Sequence, residues 1–400
     1  MFATVAGGAF MWLVHFLSKA MPEQAYSQFG VLLSVAMCVP IAPLQMVLAQ
    51  QTARGLALGR EHELSSLIRF ACLSIFGLWL VVVAGVWLFH GTILADWKIT
   101  DSAALWLTLP VLLFTAWQPL LWGVLQGQQS FLWLGWSMIA NGVGRVIIAA
   151  FFVLVVGVYA SGMVGGILAG LAFSLVLSIW PTRSLWLAPP QPFDWRALLR
   201  QVMPLMVGAG VYQFLLTADT MFVKGYFSGE ESAYYVSAGT LARASMWLAG
   251  PLALVMFPKI VHARARSETT DIMGVALIGT LVLSAGGAAF LCVMGPWIVR
   301  FMFKPSYVAT ASVLLPWYAW AVVPLSVANV LLSNLLAHSR FKVVPMLCVL
   351  AVGYVLALTR FHATPVMVIK TLSVCNSLLL AICAWYTWGV APERHSDEAG

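Results

Sequence analysis

Apolar runs of about the length needed to cross a membrane recur along this chain. A spanning helix needs about 20 predominantly apolar residues. Lipid offers no hydrogen-bond partners, so each run must satisfy its own backbone polar groups, which favours helices. A membrane β-barrel would instead alternate apolar and polar positions, and these runs do not alternate. We count twelve candidate helices, near 2–18, 27–50, 66–89, 104–126, 131–155, 158–180, 203–226, 232–258, 272–298, 307–336, 343–359 and 364–389.

The composition agrees with an all-α polytopic membrane protein and argues against other classes. The chain is 62% hydrophobic and 9% charged, whereas soluble domains carry about 25% charged residues. Its six cysteines lie inside apolar runs without metal-ligand spacing, which is typical of small buried hydrophobes. No phosphate-binding glycine loop, zinc motif, paired carboxylates or nucleophile elbow is present. We therefore expect no enzyme activity, no cofactor, no bound metal and no nucleic-acid partner.

Basic residues predict the orientation, because cytoplasmic loops carry an excess of Lys and Arg. With the N-terminus in the cytoplasm, twelve Lys and Arg residues fall on the cytoplasmic side, five on the other side, and four within or at the edges of spans. Met1 leads directly into apolar sequence without a basic leader, so we expect the first run to be a retained helix. The sequence thus predicts that both termini are cytoplasmic.

The segment 181–201 divides the twelve runs into two sets of six. Its prolines predict that the sixth helix stops at Pro181, and Asp194 is placed to cap a short amphipathic helix. We interpret this segment as a linker on the inner membrane surface. The predicted organisation is a six-helix lobe at 1–180, the linker at 181–201, a second six-helix lobe at 202–390, and a polar cytoplasmic tail at 391–400.

The two sets of helices show signs of an internal repeat. Glu23-Gln24-Ala25-Tyr26 recurs as Glu231-Ser232-Ala233-Tyr234, and Ala42-Pro43-Leu44 recurs at the same offset as Gly250-Pro251-Leu252. Because each unit holds an even number of spans, both insert with the same orientation. The pattern therefore predicts two pseudo-symmetric lobes related by an axis along the membrane normal.

Charged residues inside the apolar runs are the candidate functional residues, because a charge in a span is costly. Asp219 is the acid that lies well inside a span, and the cations are Arg145, Arg243 and Lys370, with Asn141 one turn before Arg145. In one interpretation Asp219 pairs with a cation and locks two helices together. In the other, the cations line a cavity and bind an anion such as a diphosphate, which suits the arginine fork. We favour the cavity, because one acid cannot neutralise three cations.

Lys224 is also in a span, five residues after Asp219 and close to the end of the predicted helix. A long lysine side chain near a helix end can extend along the apolar surface and place its amine in water. We expect Lys224 to do this, so it is not counted among the candidate binding residues.

Several stretches together resemble a known family. They are Asp219, Lys224-Gly225-Tyr226, Ala233-Tyr234, Arg243 and Phe257-Pro258-Lys259, with Leu125-Gln126-Gly127, Asn141 and Arg145 in the first half. This pattern resembles the oligosaccharide flippases, the polysaccharide-transporter branch of the multidrug/oligosaccharidyl-lipid/polysaccharide exporter superfamily. The resemblance implies two six-helix lobes around a central cavity. It also implies flipping of an undecaprenyl-diphosphate-linked oligosaccharide across the bacterial inner membrane, with coupling to protons or sodium.

The resulting hypothesis is a lipid-linked oligosaccharide flippase for O-antigen, capsule or exopolysaccharide, working by alternating access. Arg145 and Arg243 would hold the diphosphate, with Asn141 and Lys370 assisting, and Asp219 would balance the cations or carry a coupling proton. Expected partners are the lipid-linked oligosaccharide, membrane lipids, and a polysaccharide polymerase with its chain-length machinery. The alternatives are a multidrug or peptidoglycan-precursor exporter of the same superfamily, a membrane polysaccharide polymerase, and a transport-dead scaffold.

Overall fold

Helices make up all the regular structure in the part of the chain that the computed structural model describes, which is residues 8–10, 12–247, 272–338 and 340–389. A 3-10 helix at Val14–Ala20 comes first, and short π-helical turns occupy Phe151–Val156 and Trp385–Gly389. The α-helices of these ranges are α1 (Glu23–Met37), α2 (Ile41–Ala57), α3 (Glu61–Asp96), α4 (Ser102–Gly127), α5 (Phe131–Ala150), α6 (Ala160–Leu187), α7 (Trp195–Tyr226), α8 (Gly229–Trp247), α9 (Ile272–Met302), α10 (Pro305–Ala337), α11 (Val343–Arg360) and α12 (Pro365–Ala384).

Ten helical stretches among the described residues are long and apolar enough to cross a membrane. One of them, Glu23–Ala57, consists of α1 and α2 together. The prediction of an all-α polytopic membrane protein is confirmed. The two remaining predicted runs, 2–18 and 232–258, extend into residues 1–7 and 248–271, which lie outside the described residues, so their crossing stays a prediction.

Prolines interrupt one helix and are accommodated in another. At Pro40 the chain leaves the helix, and residues 38–40 separate α1 from α2. Pro181, in contrast, lies inside α6, which continues to Leu187, so the prediction that this helix ends at Pro181 is wrong. The hydroxyl of Thr182 donates to the Ser178 carbonyl at 2.8 Å. Packing against neighbouring helices, here α4 and α5, is one way in which a membrane helix tolerates proline.

The region between α6 and α7 is consequently shorter than the sequence suggests. Only 188–194 lie outside helices, and α7 starts at Trp195 and runs through the next span without a break. The Asp194 carboxylate accepts a hydrogen bond from the Arg196 N–H at 3.0 Å, as expected of a helix start. The separate short amphipathic helix that we predicted there is wrong, because the same helix continues into the membrane span. The lobe boundaries themselves stay a prediction.

The chain divides into two compact units. Unit 1 comprises Met1–Ala238 and Pro296–Ser312, and unit 2 comprises Gly239–Gly295 and Val313–Gly400. Unit 1 therefore contains a short piece from late in the sequence, the end of α9 and the start of α10, packed with the helices of the first half.

In unit 1, α4, α5 and α6 pack around a buried polar cluster. The Ser137 hydroxyl lies 2.7 Å from Ser174 Oγ and 2.8 Å from Ser178 Oγ, and the Trp122 indole donates to it at 2.7 Å. Hydroxyls that bond across helices hold membrane helices together where no hydrophobic driving force acts between them. The cluster fixes α5, and thus the helix that carries Asn141 and Arg145.

In unit 2, the second part of α10 packs with α12, which in turn packs against α11. The Asn376 side-chain amide donates to the Ala321 carbonyl at 2.8 Å, which joins α12 to α10. The Arg340 guanidinium donates to the carbonyls of Tyr386 and Thr387 at 3.3 and 3.2 Å, which holds the chain between α10 and α11 against the end of α12. These bonds set the position of α10, whose aromatic residues contact the cations of this unit.

Candidate functional site

Asn141 and Arg145 lie one turn apart on α5 and face α6. A Cβ atom added at Gly170 of α6 would overlap the Asn141 carbonyl oxygen and lie 3.0 Å from the Arg145 backbone nitrogen. The absence of a side chain at Gly170 therefore allows α6 to approach the backbone of α5 at this turn. Any residue larger than glycine there would push the two helices apart.

The polar atoms of this pair are incompletely bonded within the described residues. Asn141 is 2% exposed, and its side-chain oxygen is buried without a hydrogen-bond partner. Arg145 is half-buried, and its Nε–H is likewise buried without a partner. A buried, unsatisfied polar group costs about 1–3 kcal/mol. The pair thus offers one donor and one acceptor to a bound molecule: Nε–H suits a phosphate oxygen, and the amide oxygen suits a hydroxyl.

His15 lies close enough to Arg145 for the two groups to interact electrostatically. His15 is 7% exposed, and its Nδ1 shares a hydrogen bond of 2.9 Å with the Tyr26 hydroxyl. The sequence interpretation did not include this histidine. It joins the 3-10 helix to α1 beside the Arg145 helix.

Asp219 is fully buried in α7. The Tyr235 hydroxyl, on α8, donates to its carboxylate at 2.8 Å. A hydrogen bond to the ionised form stabilises a buried carboxylate. The structure thus links Asp219 to the α7–α8 pair within unit 1, and its role as counter-ion or proton carrier stays a prediction.

Arg243 and Lys370 both contact aromatic residues of α10 in unit 2. The Arg243 guanidinium is 9% exposed and donates to the Tyr318 hydroxyl at 2.5 Å. The Lys370 amine lies 5.3 Å from the centre of the Trp317 ring, which is 52% exposed. Consecutive residues leave a helix about 100° apart. The two cations therefore lie on different faces of α10, one buried and one at the surface.

The predicted site residues fall into separate groups. Asn141 and Arg145 are adjacent on α5, and Asp219 belongs to the same unit on α7. Arg243 and Lys370 belong to unit 2 and lie on different faces of α10. No group of three or more His, Cys, Asp or Glu residues that would hold a metal ion occurs in the part of the chain that the structure describes.

Lys224 is the residue for which the sequence interpretation was wrong. It does not extend into water: its side chain is 1% exposed, and its amine donates to the Ser27 hydroxyl of α1 at 2.7 Å. The partner is 197 positions away in sequence, so nothing near Lys224 could have indicated it. The useful signal was the charge itself, inside an apolar run beside Asp219.

The repeated Ala-Tyr pattern also acquires a structural meaning. Tyr26 of α1 and Tyr234 of α8 each make an edge contact with the ring of Tyr307 on α10, with centroids 6.3 and 5.0 Å apart. Beside these rings, Ser306 donates to the Glu23 carboxylate at 2.9 Å and the Lys304 amine donates to the Met21 carbonyl at 2.7 Å. The two repeated tyrosines thus contact the same residue, Tyr307. This contact lies where the corner between α9 and α10 is hydrogen-bonded to the start of α1.

Comparison with known proteins identifies the family. The model of the lipid II flippase MurJ family matches residues 29–397, nearly the whole chain. This chain belongs to the MurJ family. No curated protein sequence matches it. Among solved structures, lipid II flippase MurJ in an inward closed conformation shares 15% identity, with a TM-score of 0.70 over 98% of this chain and 86% of that one.

Transporters of the MATE family have the same fold. An inward-facing multidrug resistance MATE transporter of the MOP superfamily has a TM-score of 0.66 at 13% identity, covering 95% of this chain and 93% of that one. The eukaryotic MATE transporter AtDTX14 has a TM-score of 0.63 at 14% identity, over 96% and 93%. Identities this low show the fold alone. The chain therefore shares its fold with these transporters.

The MurJ family assignment also decides between a transporter and an enzyme. The chain is a multi-pass membrane transporter and not an enzyme, so the polymerase alternative is not supported. Within the superfamily, the matching family is the lipid II flippases, so the O-antigen branch suggested by the sequence resemblance is not supported specifically.

Proposed function

We propose that this protein flips a lipid-linked peptidoglycan precursor, lipid II, across the bacterial inner membrane. The observation that carries the proposal is the match of the MurJ family model to residues 29–397. This substrate takes the place of the O-antigen, capsule or exopolysaccharide unit that we first expected. The peptidoglycan-precursor exporter, which the sequence left open as an alternative, becomes the main hypothesis.

Arg145 is our candidate for the first contact with the diphosphate of such a substrate. Its buried Nε–H has no protein partner among the described residues, so it is available to a phosphate oxygen. A hydrogen bond in which both partners are charged is about twice as strong as a neutral one. The unsatisfied oxygen of Asn141, one turn away, would accept from a sugar hydroxyl of the same molecule.

Arg243 and Lys370 are our candidates for further contacts with the substrate. The Tyr318 hydroxyl accepts a hydrogen bond from Arg243, and the Tyr318 ring lies 5.3 Å from the guanidinium carbon, so Arg243 is held in a defined position against α10. Lys370 lies over an exposed ring, so its charge is accessible from outside unit 2. For Asp219 we propose the counter-ion role, because the Tyr235 hydroxyl donates a hydrogen bond to its carboxylate and holds it in place. We keep both termini in the cytoplasm as part of the proposal.

The test is reconstitution into vesicles with two fluorescent substrates of the same lipid, one carrying the lipid II headgroup and one an O-antigen sugar unit. Flipping exposes the label to a quencher added outside. We expect translocation of lipid II, and little of the other substrate. Translocation of the O-antigen unit alone would overturn the proposal and restore the surface-polysaccharide hypothesis.

A companion test replaces arginines at two positions of unit 1. Arg145→Ala should lose lipid II flipping, whereas Arg183→Ala should retain it, because the Arg183 guanidinium is exposed and lies over the Trp180 ring. Both variants lose one positive charge. Equal losses would show that the effect depends on total charge and not on the Arg145 position.

A further inference from the structure

Lys224 has a setting that the flippase proposal does not use. It lies in the last turn of α7, two residues before the helix ends at Tyr226, and its side chain is 1% exposed. Lysine is almost never fully buried unless it is paired. Burying an ammonium without a partner is costly enough that such a group tends to give up its proton.

The amine has one hydrogen-bond partner among the described residues, and that partner is neutral. Nζ donates to Ser27 Oγ at 2.7 Å, and the Ser27 hydroxyl donates onward to the Gln24 carbonyl at 3.2 Å. No carboxylate oxygen of the described residues lies within 4.0 Å of Nζ. An ammonium has three N–H donors, so one hydroxyl partner leaves two of them unsatisfied. A neutral amine has fewer N–H donors, so the same partner leaves fewer of them unsatisfied.

The acids on the neighbouring elements lie beyond ion-pair distance of the Lys224 amine within the described residues. The titratable and charged groups on these elements are Glu23 and Tyr26 on α1, Asp96, Lys98 and Asp101 around the turn from α3 to α4, Arg196, Arg200, Tyr212, Asp219 and Tyr226 on α7, and Glu230, Glu231, Tyr234, Tyr235 and Arg243 on α8. Glu23 accepts from Ser306, and Asp101 accepts from the Ser161 N–H. Lys98, which has a charge of the same sign, interacts electrostatically with Lys224 and lies in an exposed turn.

We propose that Lys224 is a proton-binding site of the transport cycle, neutral while α1 and α7 are packed together and protonated when they separate. The role of Lys224 in transport rests on the proposed flippase function, whereas its ability to bind and release a proton does not. The side chain is 1% exposed and its amine is bonded to a neutral hydroxyl, so the site suits a proton, which needs no added space. Separation of α1 from α7 admits water to Nζ, which stabilises the ammonium. Closure of the same contact expels the proton, so proton uptake and helix movement become one equilibrium.

The same helix pair contains a natural reporter of its packing. Cys38, which ends α1, has its sulfur 3.3 Å from the Thr217 hydroxyl of α7. In a Thr217→Cys variant whose other cysteines are replaced by serine, Cys38 and the new thiol would form a disulfide when the two helices are packed. The replaced cysteines are Cys72, Cys292, Cys348, Cys375 and Cys383. The cross-linked fraction then measures α1–α7 closure without any substrate.

The experiment follows the cross-linked fraction in a fixed redox buffer from about pH 5 to about pH 9, which includes the range in which buried lysines titrate. With Lys224 present, we expect the fraction to fall on acidification, by at most about tenfold per pH unit for a single proton. In Lys224→Met, an apolar replacement of similar length, only the pH dependence of the thiols themselves should remain. Superimposable profiles for the two proteins would overturn the proposal.

A second variant decides the question if Lys224→Met does not fold. Lys98→Gln removes the like charge from an exposed turn and leaves Lys224 in place. We expect the midpoint of the cross-linking profile to move to higher pH, because protonation of Lys224 becomes easier. An unchanged midpoint would refute the proton site. Since no lipid is present, failure here is separate from failure to flip lipid II.

Discussion

Replacing Arg145 should weaken substrate binding while it leaves the stability of the folded protein nearly unchanged, and both effects follow from the contacts of this side chain. The guanidinium is half-buried, and its Nε–H is buried without a partner, a condition that costs about 1–3 kcal/mol in the folded protein. Arg145→Ala removes that cost together with the packing of the aliphatic stem. The two effects oppose each other, so the free energy of unfolding should change by no more than about 1 kcal/mol.

Substrate binding should respond quite differently to the same change. Loss of one charge-assisted hydrogen bond to phosphate costs about 1.5–3 kcal/mol, which is roughly a tenfold to hundredfold loss of affinity. Arg145→Lys keeps the charge but not the planar fork, so it should recover only part of that loss. Thermal unfolding in detergent and lipid II flipping in vesicles, measured on the same preparations, give both quantities.

A loss of thermal stability accompanied by a proportional loss of flipping would refute this reasoning. If Arg145→Ala unfolds at a clearly lower temperature and flipping falls only in proportion to the folded fraction, Arg145 is a structural residue. If the protein is stable and flips normally, the unsatisfied Nε–H has no role in binding. Only a stable protein that binds poorly supports the assignment.

Three further predictions follow from other contacts. Tyr318→Phe removes the hydroxyl that accepts from the Arg243 guanidinium, so the unfolding free energy should fall by about 1.5–3 kcal/mol in chemical denaturation; unchanged stability would mean that Arg243 finds another acceptor. Gly170→Ala should cost about 1–3 kcal/mol, because the added methyl meets the α5 backbone, and a neutral effect would contradict the close approach of the helices. Asp219→Asn should lower thermal stability more than Tyr235→Phe does, because it removes a buried charge as well as weakening the bond between them; a stable Asn variant whose flipping no longer responds to pH would instead support a proton-carrying Asp219.

The class of the protein and one part of the site were accessible from sequence because they depend on local pattern. Apolar runs fix spanning helices through backbone hydrogen bonding, and the described residues contain ten such stretches. Asn141 and Arg145 share a helix face because they are four residues apart. The prediction of their adjacency used no information from elsewhere in the chain.

The remaining features depend on contacts between residues far apart in sequence. Lys224 is buried because Ser27 of another helix accepts from it, and Arg243 is fixed by a tyrosine 75 residues away. Pro181 stays inside α6, a helix that packs extensively against α4 and α5. Propensity and hydropathy describe each segment by itself, so they predict a water-exposed lysine and a helix end where packing decides otherwise.

The corner between α9 and α10 has a consequence for how such a chain could evolve. Duplication of an ancestral half would give two copies, each able to persist as its own gene. Here Tyr26 and Tyr307 are both fully buried, and Phe303 and Tyr307, from the second half, lie edge-on to Tyr26. A first half made alone would expose this aromatic surface to degradation. Because unit 1 includes Pro296–Ser312, the first half made alone lacks part of its own unit, and the two halves depend on being translated as one chain.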